Sequence, residues 1–331
     1  MTRTLGCILA LGLLAVALIA VSPAVAADKI AVLIIDGQNN HGWAKTTPVI
    51  KEMLEKSGKF TVDVLTSPPS PPKVDPKKQL TDEEKKARDE AEMARKALWP
   101  NFKPDFSKYQ VVFSNYNGEP WPDDVNVAFE KFMAGGGGVV VYHAANNSFV
   151  KWDAWSKMCA LLWQGAANGE RVTVDDSGKV VRTPKGEGPG AGHGPQHPYE
   201  LIVRDKQHPI TQGLPEKLMH VKDELYQGQR GPGENMDILL TAFASPEFKG
   251  SGTNEPMVFT VAYGKGRVFV NLLGHDEKST VADPACAILM LRGTEWAATG
   301  KVTIPVPANL AADAAAAAAS MAGAPAAPAK K

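Results

Sequence analysis

The run Gly135-Gly136-Gly137-Gly138-Val139-Val140-Val141-Tyr142-His143-Ala144-Ala145-Asn146 decides how this chain is read. Four glycines feed a short β-branched segment that stops at a histidine followed by small residues. The pattern predicts a buried central strand ending in a tight bend, with His143 at its tip. In open α/β sheets, ligands bind beyond the carboxyl ends of the central strands. Sharp strand-to-helix elbows there carry Ser or Cys nucleophiles; here the side chain is an imidazole. The glycines precede their strand, whereas phosphate-cradling glycines follow one, and Walker and dinucleotide fingerprints are absent. Gly-x-Ser-x-Gly and Gly-x-Cys-x-Gly are also absent, which disfavours acyl transfer through an elbow nucleophile.

The same rhythm extends in both directions. Residues 29–36 (KIAVLIID) form an apolar run bounded by Gly37, suited to a strand buried on both faces. Further strands are predicted over 60–65, 109–114 and 139–143, with helices over 48–58 and 123–133. Strand, helix, strand at this spacing implies βαβ units and a parallel sheet. A helix over 152–163 and strands over 199–203, 238–242, 257–262 and 267–272 follow. The last two strands are joined by the turn Tyr263-Gly264-Lys265-Gly266, and a helix over 283–292 closes the domain. One insertion interrupts the pattern: residues 67–76 are Pro-rich, and 80–98 are dense in Lys, Glu, Ala and Arg behind the helix-start signal Thr81-Asp82-Glu83-Glu84. It reads as an extended linker and a solvated helix, with a lid over the site as the alternative.

Residues 1–26 read as a secretory signal peptide: Arg3, an apolar segment over 5–21, then Ala24-Val25-Ala26. A periplasmic or secreted protein is the expectation, because the apolar run is short for a membrane span. Removing this leader takes out Arg3 alone, so the formal charge of +0 becomes −1. Nothing in that balance attracts nucleic acid or an anionic membrane surface. Cys159 and Cys286 remain, either paired or as buried free thiols. Residues 308–331, mostly Ala and Pro with two terminal lysines, read as a disordered tail. Residues 27–307 are left as one α/β domain.

Three histidines fall just beyond strands expected to be parallel. His41 follows the first in Asp36-Gly37-Gln38-Asn39-Asn40-His41, His143 ends the fourth, and His275 follows the last in Gly274-His275-Asp276-Glu277. If the strands share a direction, all three imidazoles point at one edge of the sheet. Imidazole titrates near neutral pH and serves as acid, base or metal ligand. Asn115-Tyr116-Asn117-Gly118-Glu119-Pro120-Trp121 follows the third strand and mixes amides, a carboxylate and an indole, groups that grip hydroxyls and cover a ring face. As a run of Asn, Gly and Pro it reads equally as a plain turn. Asn146, after the histidine bend, and Asp223-Glu224-Leu225-Tyr226 add further polar groups. His193 and His197, four apart in a Gly- and Pro-rich loop, could ligate a divalent metal together with His41, His143 or Asp223.

Taken as an ordered set, residues 136–145 (GGGVVVYHAA), His208-Pro209-Ile210-Thr211-Gln212-Gly213-Leu214-Pro215, Asp223-Glu224-Leu225-Tyr226, and residues 263–269 (YGKGRVF) with Gly274-His275-Asp276 resemble the ThuA-like (trehalose utilisation) family of the class I glutamine amidotransferase-like superfamily. The resemblance covers nearly all of 29–306. It implies a flavodoxin-like three-layer sandwich with a mostly parallel central sheet, and a role in carbohydrate utilisation, with oxidised (3-keto) sugars and their glycosides as the substrate lead. In that superfamily the elbow carries the amidotransferase cysteine; His143 takes the seat, as is usual for ThuA-like members. The reading is therefore an exported enzyme on a sugar or keto-sugar glycoside. His143 and His275 would exchange protons with help from Asp276 or Glu119. Asn39, His41, Asn115, Trp121, Asn146, Asp223, Glu224 and Tyr226 would hold a small carbohydrate. The alternatives are a non-catalytic sugar-binding module and a metal-dependent hydrolase using His193 and His197; a homo-oligomer is compatible with either.

Overall fold

In the computed structural model, residues 29–72, 75, 77 and 79–322 are described. The expected signal peptide lies outside them. The apolar run after Lys29 forms β1 (Ile30–Asp36), whose last five residues are buried. Helix α1 (Trp43–Lys56) turns Thr46, Thr47, Ile50 and Leu54 inward, one stripe at helical spacing. Strand β2 (Phe60–Thr66) follows. The charged insertion forms α2 (Asp82–Lys96), opened by a reciprocal capping box between Thr81 and Glu84. Then come β3 (Val111–Ser114), α3 (Asp123–Ala134), β4 (Gly138–Tyr142) and α4 (Asp153–Cys159).

The second half is richer in strands: β5 (Arg171–Val174), β6 (Val180–Thr183), β7 (Gly192–His193), β8 (His197–Val203), β9 (Lys217–Asp223), β10 (Tyr226–Gln227), β11 (Met236–Phe243), β12 (Asn254–Tyr263) and β13 (Gly266–Asn271). Helices α5 (Glu277–Thr280), α6 (Pro284–Thr299) and α7 (Leu310–Ala322) complete the described chain. The fold is mixed α/β around one large sheet ordered β2-β1-β3-β4-β13-β12-β11-β8-β9, with β5 and β6 branching from β12. Pairing is parallel from β2 to β13 and antiparallel from β13 to β9. The core of the sheet is thus parallel. The loops after β1, β4 and β13 consequently open at the same edge.

The glycine run has a packing reason. Gly136 sits at φ +101°, a backbone region where a Cβ is penalised. A Cβ on Gly138 would overlap the Ala297 carbonyl oxygen, so α6 lies against β4 only because that position has no side chain.

Three expectations change. The helix predicted over 152–163 stops at Cys159, because Ala160 adopts φ +55°. The closing helix continues beyond 292 to Thr299. The tail expected to be disordered forms α7 over its first part. Alanine is the strongest helix former, and Leu310, Ala314 and Ala318, four apart, give a narrow stripe that buries against the rest of the fold; α7 packs on β9 and α6. Cys159 and Cys286 are both buried free thiols. Among the described residues, no helix is long and apolar enough to cross a membrane.

Candidate active site

Asn39 shapes the loop after β1: its Oδ1 accepts the His41 backbone N–H at 3.0 Å. His143 ends β4 at φ +46°, a conformation uncommon outside glycine and a local strain at the bend. Its Nδ1 lies 2.8 Å from the Leu272 carbonyl, which can only accept, so Nδ1 carries the proton and Nε2 presents a lone pair. The Tyr226 hydroxyl donates to that lone pair at 3.0 Å. His275 is positioned through the backbone after β13: Gly274 N–H and His275 N–H donate to the two oxygens of Asp223 at 2.8 and 3.2 Å.

Glu224, just after β9, is the centre of the group. His41 Nε2 and His143 Nε2 lie 3.6 and 3.7 Å from its Oε2; His275 Nδ1 and His193 Nε2 lie 3.1 and 3.5 Å from its Oε1. None of these contacts is aligned as a hydrogen bond, and His41 Nδ1 and His275 Nδ1 are buried without a hydrogen-bond partner. The His41 ring stands edge-on to those of His143 and His275, both at 4.6 Å between centroids. His41, His143, Glu224 and His275 each offer one ligand atom, and these atoms all lie within 4.8 Å of one another, so this set could hold a metal ion.

Burial pushes the Glu224 carboxyl up, but His143, His275 and His41 more than offset it and hold its pKa well below the usual carboxylate range. Burial lowers His41, helped by repulsion from the His143 and His275 imidazoles. Burial also opposes charge on His275, yet the Glu224 carboxylate wins and raises it. His41, Glu224 and His275 line a cavity of about 420 Å³ together with Tyr226, Trp163 and His193, while His143 is buried behind that lining. That volume is in the range of small-molecule sites. A larger groove of about 590 Å³, lined by Phe106, Phe132 and Gly135 among others, lies where β4 begins, at the opposite edge of the sheet, and has no histidine.

Behind the cavity lining lies a second, sealed cluster. His220, fully buried on β9, contacts Asp283 Oδ2 through Nδ1 at 2.5 Å and Asp223 Oδ2 through Nε2 at 2.8 Å. Burial alone would lower this imidazole, but Asp283 and Asp223 hold its pKa up at about 9. Asp223 thereby links the buried triad to the backbones of Glu224, Gly274 and His275.

The sequence candidates divide accordingly. His41, His275, Glu224, Tyr226 and His193 meet at the cavity, and His143 lies against Glu224 and Tyr226 behind it. Asp276 caps α5, accepting from Lys278 and Ser279 N–H, so its carboxylate is spent on the helix start. Glu119 is ion-paired with Arg95 of α2 and accepts from Gln38, anchoring the insertion. No residue of α2 lines the cavity. Asn115 donates to Thr46 and Thr47 Oγ1, both at 3.0 Å, pinning α1 to β3. Trp121 is 2% exposed within an aromatic cluster with Phe149 and Phe129, and so offers no face to a ligand. Asn146 donates to Gln229 and to the Leu161 carbonyl. His197 stacks on Phe248 at 3.8 Å and reaches the Pro195 carbonyl, so the expected His193–His197 metal pair does not form. Trp163 and the His220–Asp283 pair were not singled out from sequence. The signal for His220 is a polar residue on the inward-facing positions of β9, beside buried Leu218 and Val221.

The comparisons with known proteins agree with this architecture. The family model ThuA (trehalose utilisation) matches residues 31–297. A solved ThuA-like protein from Parabacteroides merdae ATCC 43184 is 43% identical, with a TM-score of 0.73, over 85% of this chain and 94% of its own. Another from Bacteroides uniformis ATCC 8492 shares the fold at 18% identity and a TM-score of 0.50, over 85% of this chain and 97% of its own. A comparison with curated proteins gives no match. The family match spans most of the chain and includes all three strand-end histidines and Glu224, so this protein belongs to the ThuA trehalose-utilisation family.

Proposed function

We propose that this protein is an exported enzyme of carbohydrate utilisation, acting on a sugar or keto-sugar glycoside by histidine acid–base chemistry in the cavity above Glu224. Family membership supports the carbohydrate. The packing of α1 with α6, and of α3 and α4 with the middle of the sheet, supports a flavodoxin-like three-layer arrangement that presents the site at the strand ends.

One observation carries the catalytic reading. His193 stands at the cavity mouth, about one-third exposed, with Nδ1 held by the Gly194 carbonyl at 2.7 Å. Its Nε2 lone pair therefore faces the cavity, 3.5 Å from Glu224 Oε1. A proton taken from substrate at Nε2 makes an imidazolium that Glu224 stabilises, which is what a general base requires. His41 and His275 line the wall against which substrate oxygens would rest, and Tyr226, whose hydroxyl is bonded to the buried His143 behind them, lines it too. A base of this kind suits abstraction of a proton beside a ketone, a step in isomerisation or eliminative cleavage of a glycoside.

The test is a turnover screen of oxidised and unoxidised disaccharides by mass spectrometry, on wild type, His193→Ala and His143→Ala. Turnover by wild type should fall by about 10²–10⁴-fold in both variants with circular dichroism unchanged. Full activity in both variants, or sugar binding without product in wild type, would overturn the reading.

A further inference from the structure

We infer that His41, His143, Glu224 and His275 form a mononuclear site for a divalent first-row transition metal. Four observations converge on it. The donor set is three imidazoles and one carboxylate, a mixture that suits Zn, Fe, Co, Ni or Mn better than Mg or Ca, which favour oxygen ligands. The spacing fits as well. Two metal–ligand bonds of about 2.1 Å at the tetrahedral angle place their donor atoms about 3.4 Å apart. Glu224 Oε2 lies 3.6 and 3.7 Å from His41 Nε2 and His143 Nε2, and Glu224 Oε1 lies 3.1 Å from His275 Nδ1. Hydrogen bonds would be aligned and mostly shorter.

The third observation is orientation. The three ring planes cross pairwise at 83°, 87° and 83°, which lets three lone pairs converge without the rings clashing. The fourth is the supporting structure. The Leu272 carbonyl fixes the His143 tautomer with Nε2 unprotonated, as an outer-shell partner does for a ligating imidazole. Asp223 holds the backbones of Glu224 and His275. By contrast, His275 Nδ1, the atom that faces Glu224, is buried with no hydrogen-bond partner, an uncommon state for a polar atom in a finished scaffold.

The site deepens the proposed function and rests on it only for the substrate. A cation held there would polarise a sugar carbonyl, or a carbonyl and its neighbouring hydroxyl, as a Lewis acid. His193, outside the four-residue set, would keep its role at the mouth. Binding at His143 Nε2 would compete with the Tyr226 O–H, which then becomes free to face substrate.

The experiment titrates chelator-stripped wild-type protein with Zn²⁺, Mn²⁺, Co²⁺ and Ni²⁺ by calorimetry, and follows bound metal by elemental analysis and Tm. One equivalent of at least one of these cations should bind and raise Tm. Glu224→Gln and His41→Ala should each weaken that binding about 10²-fold or more, while His197→Ala, on the Phe248 stack, should leave it unchanged. The inference is overturned if wild type binds none of them stoichiometrically, or if it binds one with the same affinity as Glu224→Gln and His41→Ala. In that case the cluster is an imidazolium–carboxylate assembly alone. The two readings fail separately: stoichiometric metal without sugar turnover sinks the carbohydrate reaction, and full sugar turnover by metal-free protein sinks a catalytic role for the metal.

Discussion

Two histidine–carboxylate clusters lie side by side in this protein, and their border is the peptide between Asp223 and Glu224. In the inner one, His220 is clamped between Asp223 and Asp283 at 2.8 and 2.5 Å, with all three side chains fully buried. In the outer one, His41, His143, His193 and His275 surround Glu224 at 3.1 to 3.7 Å with no aligned hydrogen bond, and open on a cavity. The residue types are the same, but the imidazole is hydrogen-bonded to its carboxylates in the inner cluster, whereas in the outer one no imidazole is hydrogen-bonded to Glu224. A buried network whose members are all paired fixes a structure; a gathered set left unpaired is available to a ligand. The inner cluster is therefore scaffold and the outer one is site, although a list of histidines and acids would not separate them.

Removing an imidazole from each cluster should break the comparison most clearly. His220→Ala leaves two buried carboxylates facing each other, and should cost about 3–5 kcal/mol, the usual effect of breaking a buried ion pair from one side. His41→Ala takes a group without such partners and should cost about 1 kcal/mol or less. Urea unfolding of both variants measures this; equal losses would mean that the outer cluster is scaffold too. The pH dependence sharpens the point. The His220 pKa is about 9 folded, against an ordinary value of 6.5, so its stabilisation is complete below about 6.5 and is lost as pH rises through 9. The stability gap between wild type and His220→Gln should therefore narrow across that interval.

What was legible in the sequence follows the same division. The βαβ rhythm of the first half, with runs such as residues 29–36 and 138–142, announced a parallel core, and parallel strands oblige His41, His143 and His275 to share an edge. The antiparallel half hid more. β9 mixes Lys, His and Asp with its apolar residues, so its alternation was missed, and with it the placement of Asp223 and Glu224. β7 and β10 are two residues each, too short for any period, yet their pairing sets His193 opposite Tyr226. Asp276 and Glu119 looked catalytic, and Asn115 looked substrate-binding, because their residue types suit those tasks. Their true partners, a helix start, Arg95 and two threonines, are far apart in sequence or belong to local capping.

A smaller effect is expected at Tyr226, which belongs to the outer cluster alone. Its hydroxyl donates to His143 Nε2, while its ring meets Trp163 at 4.5 Å. Tyr226→Phe keeps the ring and removes one donor, so stability should change by about 1 kcal/mol. Turnover should fall by about 10²-fold if the hydroxyl serves as acid or orients the imidazole. Steady-state kinetics on the best substrate from the disaccharide screen reads the difference. A large stability loss with unchanged kcat would place Tyr226 with the scaffold instead.

The least perturbing change concerns a third carboxylate, Glu119, whose chemistry resembles that of Glu224 and whose partners resemble those of Asp223. It is paired with Arg95 and bonded to Gln38, so it ties α2 to the loop after β1, while Glu92, on α2 itself, holds the same guanidinium. Pairing, by the argument above, marks it as scaffold. Glu119→Gln should leave turnover within about twofold. Its stability cost should be only about 1 kcal/mol, because Glu119 is 31% exposed and water screens the pair. Hydrogen exchange in α2 should quicken, since Arg95 would keep Glu92 alone as its acidic partner. A 10²-fold loss of turnover would instead bring α2 and its anchor into the reaction, and saturation by hydrogen bonds would no longer separate scaffold from site.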